Sequence, residues 1–342
     1  MPSPAASPVS ASSNSAEPVT HYLVVPGLLG PLPGGGEAAE PPPLPYLQRL
    51  LARAEQSSAP LGFAQTLFDL FGLDVPSDAD VPTAAVCYQA EDAAEPLHGA
   101  YLMHADPLYL RPDQDRLLAY DFHRQPLSLD ESRELAAAFN AHFADDGLKL
   151  LVPHPQRCYL AVDHVPQLRT YPLVEVLARN VDLFLPRGKD APRWHGWLNE
   201  VQMLLHALPL NQRREAQGKL PVKGLWFSGG GSLPAGPVRG YRHIQGECRL
   251  LAGLDAMSSS RREAALQVDH APERALCEGD LAAWVSALRN IERQLSEAGD
   301  EGLCLMPCDG RAWHWQPGMR RRFWRRTRPL AGWLIAGAET RR

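Results

Sequence analysis

Four groups of side chains in this sequence have the types and spacing to do chemistry. The first is Gly229-Gly230-Gly231, preceded by Ser228 and the apolar run Leu225-Trp226-Phe227. Backbone N–H groups laid bare by glycine at a strand exit can cradle a phosphate. No Lys-Ser/Thr pair follows, so this is not a P-loop. No helix opens directly behind it, so it is not a dinucleotide fingerprint. The competing reading is a tight strand-exit loop where other backbone packs close.

The second group is Asn211-Gln212-Arg213-Arg214, shortly before Gly218-Lys219-Leu220-Pro221. Paired arginines with an amide can grip a phosphate or carboxylate bidentately. The alternative is a solvated helix start. Asn211, Arg213, Arg214, Ser228, Gly229, Gly230 and Gly231 are therefore the candidate ligand-binding residues. The third group is Asp269-His270, which follows a short strand-like run. A two-metal phosphoryl-transfer site needs several Asp and His ligands. One such pair cannot hold two metals, so Asp269 and His270 are weak metal candidates. No HExxH or HxH pattern occurs among the 12 histidines.

The fourth group is the run 318–334, GMRRRFWRRTRPLAGWL. Here Arg320, Arg321, Arg322, Arg325, Arg326 and Arg328 surround Phe323 and Trp324. Basic residues interleaved with aromatics can hold single-stranded nucleic acid by charge and stacking. They can equally pack on the protein itself. Residues 311–342 carry nine arginines against one glutamate, a net +8, which leaves −13 for the rest of a chain whose total is −5. An acidic body is a ready partner for a basic end, and arginine stems pack well on apolar surface. That balance argues against nucleic acid as the partner.

Asp106, Asp113, Asp115 and Asp121 lack the spacing of a calcium loop. Asp106-Pro107 and Pro112-Asp113 read instead as turns. Cys304 and Cys308 stand as a lone pair without the second pair that a structural zinc needs. The six cysteines are expected as free thiols in a reducing, cytoplasmic setting.

The elements that must position these groups read as an α/β chain. A strand over 22–25 climbs into Pro26-Gly27. Helices follow over 46–56 and 63–73, then a strand over 83–90. From about 95 the texture changes. A helix capped by Ser128 places Leu135, Phe139 and Phe143 on one face, and strands over 148–153 and 158–165 follow it. A helix over 190–206 has Asp190 at its start and an apolar face including Leu198, Met203 and Leu205. After 240 the expected elements are a helix over 244–256, a short strand over 265–270 and a long amphipathic helix over 278–299. A hairpin over 302–317 then turns at Asp309-Gly310. Residues 1–20 lack the basic and apolar regions of a signal peptide and read as a disordered Pro/Ser/Ala tail. No apolar stretch reaches the roughly 18–20 residues of a membrane span.

The stretch DAPRWHGWLNEVQMLLHALPLNQRREAQGKLPVKGLWFSGGGSLP, over 190–234, resembles the archaeal-type cofactor-independent phosphoglycerate mutases. In that family a helix runs into a His-Pro-Val-Asn-x-x-Arg block, then Gly-x-x-Pro-Ala-Asn, a strand and a Gly-rich loop. ADPLYLR, LNEVQMLLH, WFSGGGSLP and RRFWRRTRPLA also resemble the proteobacterial RpfE-type regulatory proteins, across about 21–335. The mutases belong to the alkaline-phosphatase superfamily. The resemblance implies an α/β, alkaline-phosphatase-like core sheet flanked by helices, at 21–94 and 221–342, with an inserted α+β subdomain at 95–220.

Asn211 and Arg214 match the Asn and Arg of the family block, while Leu208 replaces its His and Lys223 replaces a later Asn. The superfamily's first strand ends in Asp-Gly, and that Asp binds metal. Here the strand ends in Pro26-Gly27. The expectation is a mutase-like protein without the two-metal site and needing no cofactor. It would bind a small phosphorylated or carboxylated metabolite in a regulatory role. The alternatives are an active mutase or phosphatase using manganese or zinc, and a nucleic-acid-binding regulator acting through the arginine-rich segment.

Overall fold

The computed structural model describes residues 21–32, 41–76, 78–92, 97, 99–298 and 301–335. The expected N-terminal tail lies outside them. The chain opens with β1 (His21–Val24), α1 (Pro45–Arg53), β2 (Glu55–Leu61), α2 (Phe63–Leu70) and α3 (Thr83–Gln89). Leu47, Leu50 and Leu51 recur at helical spacing and form the buried face of α1. That helix ends before the expected 56, and β2 takes over at the sheet edge. β2 faces water along most of its length, so it carries no hydrophobic alternation to announce it. The strand expected over 83–90 is a helix instead. Ala84, Ala85, Val86, Cys87 and Tyr88 are all buried, and a short run apolar on every side has no period to separate strand from helix.

The middle of the chain supplies β3 (Tyr101–Asp113), β4 (Arg116–Tyr120), α4 (Leu129–His142), β5 (Leu148–His154), β6 (Arg157–Val162), β7 (Leu168–Arg169), α5 (Leu173–Val176), β8 (Arg187–Gly188), α6 (Ala191–Ala207), α7 (Pro209–Ala216) and β9 (Gly224–Gly231). α4 starts with a complete capping box, Ser128 with Glu131. β3 runs unbroken through the two expected Asp/Pro turns. Its β6 pairing ends at His104 and its β4 pairing begins at Tyr109. Pro107 lies between these two pairings, opposite Leu225 of β9. In α6 the buried face is Trp194, Trp197, Leu198, Val201 and Leu205, whereas Met203 is 66% exposed.

The last third supplies β10 (Val238–Gln245), α8 (Arg249–Ala256), β11 (Ser258–Val268), α9 (Ala271–Cys277), α10 (Leu281–Glu297), β12 (Leu303–Met306) and β13 (Asp309–Trp315). The helix expected over 244–256 starts only at Arg249, and the short strand expected over 265–270 is the far end of the longer β11. Asp309 and Gly310 lie inside β13. The reversal is made by Pro307 and Cys308, the latter with φ +64.

Two sheets carry the architecture. The six-stranded sheet has the order β10-β11-β1-β12-β13-β2, with β10, β11, β1 and β12 parallel. The second sheet runs β4-β3-β6-β5, with β9 paired to β3. It holds the chain through Gly231, past the expected return at 221. Helices flank the first sheet, giving the mixed α/β architecture that the resemblance implied. Several apolar clusters fill the interior, the first of them also taking in Leu102 and Tyr159 of the second sheet. Leu67, Phe71, Leu251 and Leu266 belong to that first cluster, and Phe139, Phe143, Trp194 and Phe227 to another. Among the described residues no helix is long and apolar enough to cross a membrane.

Candidate functional site

In an open sheet with parallel strands, ligands bind in the crevice beyond the carboxyl ends. Here β1 runs into Val25-Pro26-Gly27, β11 into Asp269-His270, β10 into Gly246-Glu247-Cys248, and β12 into Pro307-Cys308. Pro26 is buried and offers no side-chain ligand atom. Gly27 has φ +74, and a Cβ added there would meet Glu273 Cα at 2.6 Å. Trp284 Nε1, from α10, donates to Gly27 O at 3.0 Å. The strand end is thus filled by the backbone of α9 and held by α10.

Asp269 is used locally. Its N–H donates to Val24 O at 3.0 Å, and its Oδ1 accepts from Ala271 N at 2.9 Å. His270 Nδ1 lies 3.0 Å from Glu273 Oε2, and its ring packs edge-on against Phe63 with centroids 4.3 Å apart. Burial pulls the His270 pKa down, but hydrogen bonds to Cys248 and Glu273 outweigh it and raise it to about 9. Manganese and zinc need converging oxygen, nitrogen or sulfur donors. Among the described residues no group of three or more His, Cys, Asp or Glu is arranged to hold a metal ion. At this edge Asp269 and His270 are already engaged, by Ala271 N and Glu273 respectively.

The glycines are not an exit loop. They form the end of β9, with a register shift where the strand meets β3 between Leu102 and His104. Side chains at Gly229, Gly230 and Gly231 would run into Thr83, Tyr101 and Pro82 respectively. Close packing of the start of α3 therefore requires them. Gly229 N donates to Thr170 Oγ1 at 3.3 Å, and Gly230 N–H serves the carboxylate of Asp80. Asp80 thus stands where a cradled phosphate would. Burial raises its pKa, opposed by hydrogen bonds from the Thr170 hydroxyl and N–H and by Arg169. Gly230 and Gly231 also line a cavity of about 840 Å³, together with Asp80, Tyr101, Arg169 and Lys189. Ser228 is buried behind it.

Asn211, Arg213 and Arg214 lie away from that cavity. Asn211 Nδ2 donates to Leu205 O at 2.8 Å and Val222 O at 2.7 Å, while its Oδ1 accepts from Val222 N at 2.7 Å. Arg214 is fully buried. Its Nε donates to Leu220 O at 2.7 Å, Nη1 pairs with Glu131 at 3.0 Å and Nη2 donates to Gln125 O at 3.1 Å. Arg213 is exposed and pairs with Glu134. These contacts tie α7 to the capping box of α4 and to the segment that leads into β9.

The arginine-rich segment is strapped to the protein. Arg322 pairs with Glu55 at 2.7 Å and donates to Arg53 O at 3.2 Å. Arg325 donates to Ala54 O at 3.0 Å, and Arg53 donates to Arg320 O at 2.6 Å. Arg321, Arg326 and Arg328 are exposed, as are Phe323 at 79% and Trp324 at 66%.

The buried polar groups between the sheets were not legible in the sequence. Glu91 accepts from Arg157 Nε at 2.5 Å and from Tyr159 OH at 2.8 Å, with Arg249 at 3.8 Å. Burial would raise its pKa, but the bonds from Arg157 and Tyr159 prevail and lower it. On β3, burial and then the Asp121 charge push Asp106 up to about 7. Burial lowers His104 to about 4, and its Nε2 meets Thr83 Oγ1 at 3.1 Å.

No protein-family model matches the chain. It is similar to a probable 2,3-bisphosphoglycerate-independent phosphoglycerate mutase of Geobacter sulfurreducens, 26% identical over 200 residues, which are 54% of this chain and 46% of that protein. It is also similar to a 2,3-bisphosphoglycerate-independent phosphoglycerate mutase of Methanosarcina acetivorans, 25% identical over 140 residues, covering 37% of this chain and 35% of that one. The matched segment spans less than half the length of each of these relatives. Among solved structures, the PH0037 protein of Pyrococcus horikoshii superposes with a TM-score of 0.50 over 92% of both chains, at 13% identity. That likeness shows the fold alone. A cofactor-independent phosphoglycerate mutase from Thermoplasma acidophilum covers 88% of this chain and 90% of its own, with a TM-score of 0.35 and 15% identity, too loose a superposition to add to it.

Proposed function

We propose that this chain is a phosphoglycerate-mutase-like protein in which the family's two-metal centre is not assembled. It acts by binding a small phosphorylated or carboxylated metabolite rather than by mutase turnover. The observation that carries this reading is the end of β1. Pro26 is buried without a side-chain ligand atom, and the backbone of α9 packs closely on Gly27, which supports a strand end without a metal ligand. The likeness to curated phosphoglycerate mutases supports the family level of the reading. The likeness of ADPLYLR, WFSGGGSLP and RRFWRRTRPLA to RpfE-type regulatory proteins supports a regulatory role.

The binding place we favour is the cavity of about 840 Å³, within the usual range of small-molecule sites. Arg169, 3.8 Å from Asp80, and Lys189 supply positive charge there, and Asp74 and Asp78 can accept from hydroxyls on the ligand. The second reading is an active metal-dependent mutase or phosphatase. It rests on Asp269 and His270, which do stand beyond β11 beside β1. Conversion of 3-phosphoglycerate to 2-phosphoglycerate, with manganese or zinc added, separates the two. Turnover in the ordinary range of about 1–10³ s⁻¹ overturns the proposal. No turnover, with 3-phosphoglycerate raising the unfolding temperature, supports it.

A further inference from the structure

Metabolite binding makes no use of the arginine-rich segment beyond β13. That segment is a loop anchored at both ends. Met319 lies in a short 3-10 helix, Pro317–Arg321, and is buried, as is Leu330. Both belong to the apolar cluster that includes Leu47 and Leu50 of α1 and Trp284 of α10. Between them every residue from Arg320 to Pro329 is exposed except the half-buried Arg322.

The arginines divide by direction. Arg322 and Arg325 reach back to the corner between α1 and β2, where they donate to Arg53 O, Glu55 and Ala54 O, and Arg53 donates to Arg320 O. Glu55, the acid that pairs with the segment, is thereby taken up by Arg322. Backbone bonds tighten the turn between these pins. Arg322 N donates to Met319 O at 3.0 Å, Phe323 N to Arg321 O at 2.8 Å and Arg325 N to Arg322 O at 3.1 Å. Phe323 and Trp324 therefore stand in a pinned turn, both largely exposed. Their rings pack on each other, with centroids 5.4 Å apart and planes at 79°. Arg321, Arg326 and Arg328 flank the pair and are exposed. No Asp or Glu occurs between Arg311 and Ile335.

Exposed apolar rings rimmed by charge mark a surface that meets a partner. The geometry selects among partners. Successive bases of a single strand stack parallel to one another, so two rings at 79° cannot both continue one stack. A stable protein partner buries about 800 Å² on each side, a broader face than one turn provides. The interface of a bilayer makes neither demand. Aromatic rings enter the headgroup boundary in any mutual orientation, and arginines around them meet the lipid phosphates. Charge sets the lipid. Residues 311–342 carry +8 and the rest of the chain −13, so the pull of an anionic surface falls on this end. Screening over about 8–10 Å keeps the acidic remainder from cancelling it.

We propose that Phe323 and Trp324, with Arg321, Arg326 and Arg328, form a docking surface for an anionic phospholipid bilayer. The aromatic pair enters the interface as a wedge, and the three arginines contact lipid phosphates around it. Arg322 and Arg325 stay on the protein and hold the turn in place. The chain lies on the bilayer without spanning it. This surface stands whether or not the cavity binds a metabolite.

The test is sedimentation of the full chain with vesicles of phosphatidylcholine alone and of an equal mixture with phosphatidylglycerol, at low ionic strength. Of the eight tryptophans only Trp324 is exposed, so a blue shift of emission on binding reports on this turn. The expected result is binding to the mixed vesicles alone, with that blue shift and a loss of binding as salt rises. Arg326→Ala and Arg328→Ala should each weaken binding by about fivefold. Phe323→Ser and Trp324→Ser should also weaken sedimentation. Arg242→Ala, which removes an exposed arginine of β10, should leave it unchanged. The substituted side chains of the turn are exposed, so the urea midpoint of each variant should match wild type. No binding to the mixed vesicles, equal binding to phosphatidylcholine alone, or binding that survives the loss of both Arg326 and Arg328 overturns the proposal. Binding of oligothymidylate as tight as that of the vesicles, lost in the same variants, overturns it in favour of nucleic acid.

Discussion

Gly27→Ala tests whether the crevice beyond β1 is closed. Two terms add at this position. Gly27 has φ +74, a conformation that costs an L-residue about 1–2 kcal/mol. The new methyl also meets Glu273 Cα at 2.6 Å and Glu273 N at 2.7 Å. Carbon atoms rest at about 3.5–4.0 Å, so the backbone of α9 must retreat by roughly 1 Å. α9 cannot retreat freely, because Trp284 of the following helix is buried and bonded to Gly27 O. Forced overpacking of this kind costs about 1–3 kcal/mol, for a total of about 2–5 kcal/mol. Gly72→Ala isolates the first term, since Gly72 has φ +77 with nothing within 4 Å of an added Cβ. Urea unfolding of both variants, compared by midpoint at equal slope, gives the difference. If Gly27→Ala and Gly72→Ala agree within about 0.5 kcal/mol, α9 does not press on the strand end and the closed-crevice argument fails.

Arg214→Ala leaves Glu131 without its buried partner and two carbonyls without a donor, so urea unfolding should show a loss of about 3–5 kcal/mol. Arg213→Ala removes only an exposed pair and should cost less than about 1 kcal/mol. Glu91 has a lowered pKa in the folded chain, so its contribution is complete above the unfolded value of about 4.3 and is lost as pH falls through the folded one. Wild type should therefore lose stability more steeply than Glu91→Gln below about pH 4.3, as read by unfolding across an acid pH series. Asp106 carries the opposite sign. With the folded group raised to about 7, stability falls as pH climbs from about 3.9 towards that value, and Asp106→Asn should gain stability over wild type at pH 8 and not at pH 3.

What was legible in the sequence is what is encoded locally. Ser128 and Glu131 announce the start of α4 within one turn, and Asp280 caps the periodic run of α10 through Ala283 N. The strand over 22–25 and the helices over 63–73 and 190–206 followed from such signals, whereas the run over 83–90 did not. The rest was decided by partners remote in sequence. β2 carries no buried face, so only its pairing with β13 makes it a strand. The triple glycine looked like an anion loop because its real neighbours, Pro82, Thr83 and Tyr101, come from elements far back in the chain. Asn211 and Arg214 looked like ligand contacts for a similar reason. Their partners are buried backbone groups that a sequence does not show to be in need of bonding. His270 and Glu273 are three residues apart and could have been paired by eye.

The places where the fold invites a ligand are largely filled by the protein's own groups. Asp80 takes the Gly230 N–H, Glu273 takes His270, and α9 covers Gly27. Each filling is part of the packing, so on the proposed reading a metal site is not made by changing one residue. Pro26→Asp makes the point testable. The new carboxylate would enter a buried position, with Asp269 and His270 already committed to Ala271 N and Glu273. An unpaired buried charge costs about 3–5 kcal/mol, so the variant should be less stable than wild type by roughly that amount. Manganese should not repair it, because among the described residues no group of three or more His, Cys, Asp or Glu is arranged to hold a metal ion. A rise of about 2.7 kcal/mol in unfolding free energy, at a hundredfold excess of manganese over its Kd, would show the opposite. It would mean that α9 moves aside readily and that Pro26 alone separates this protein from a metal site.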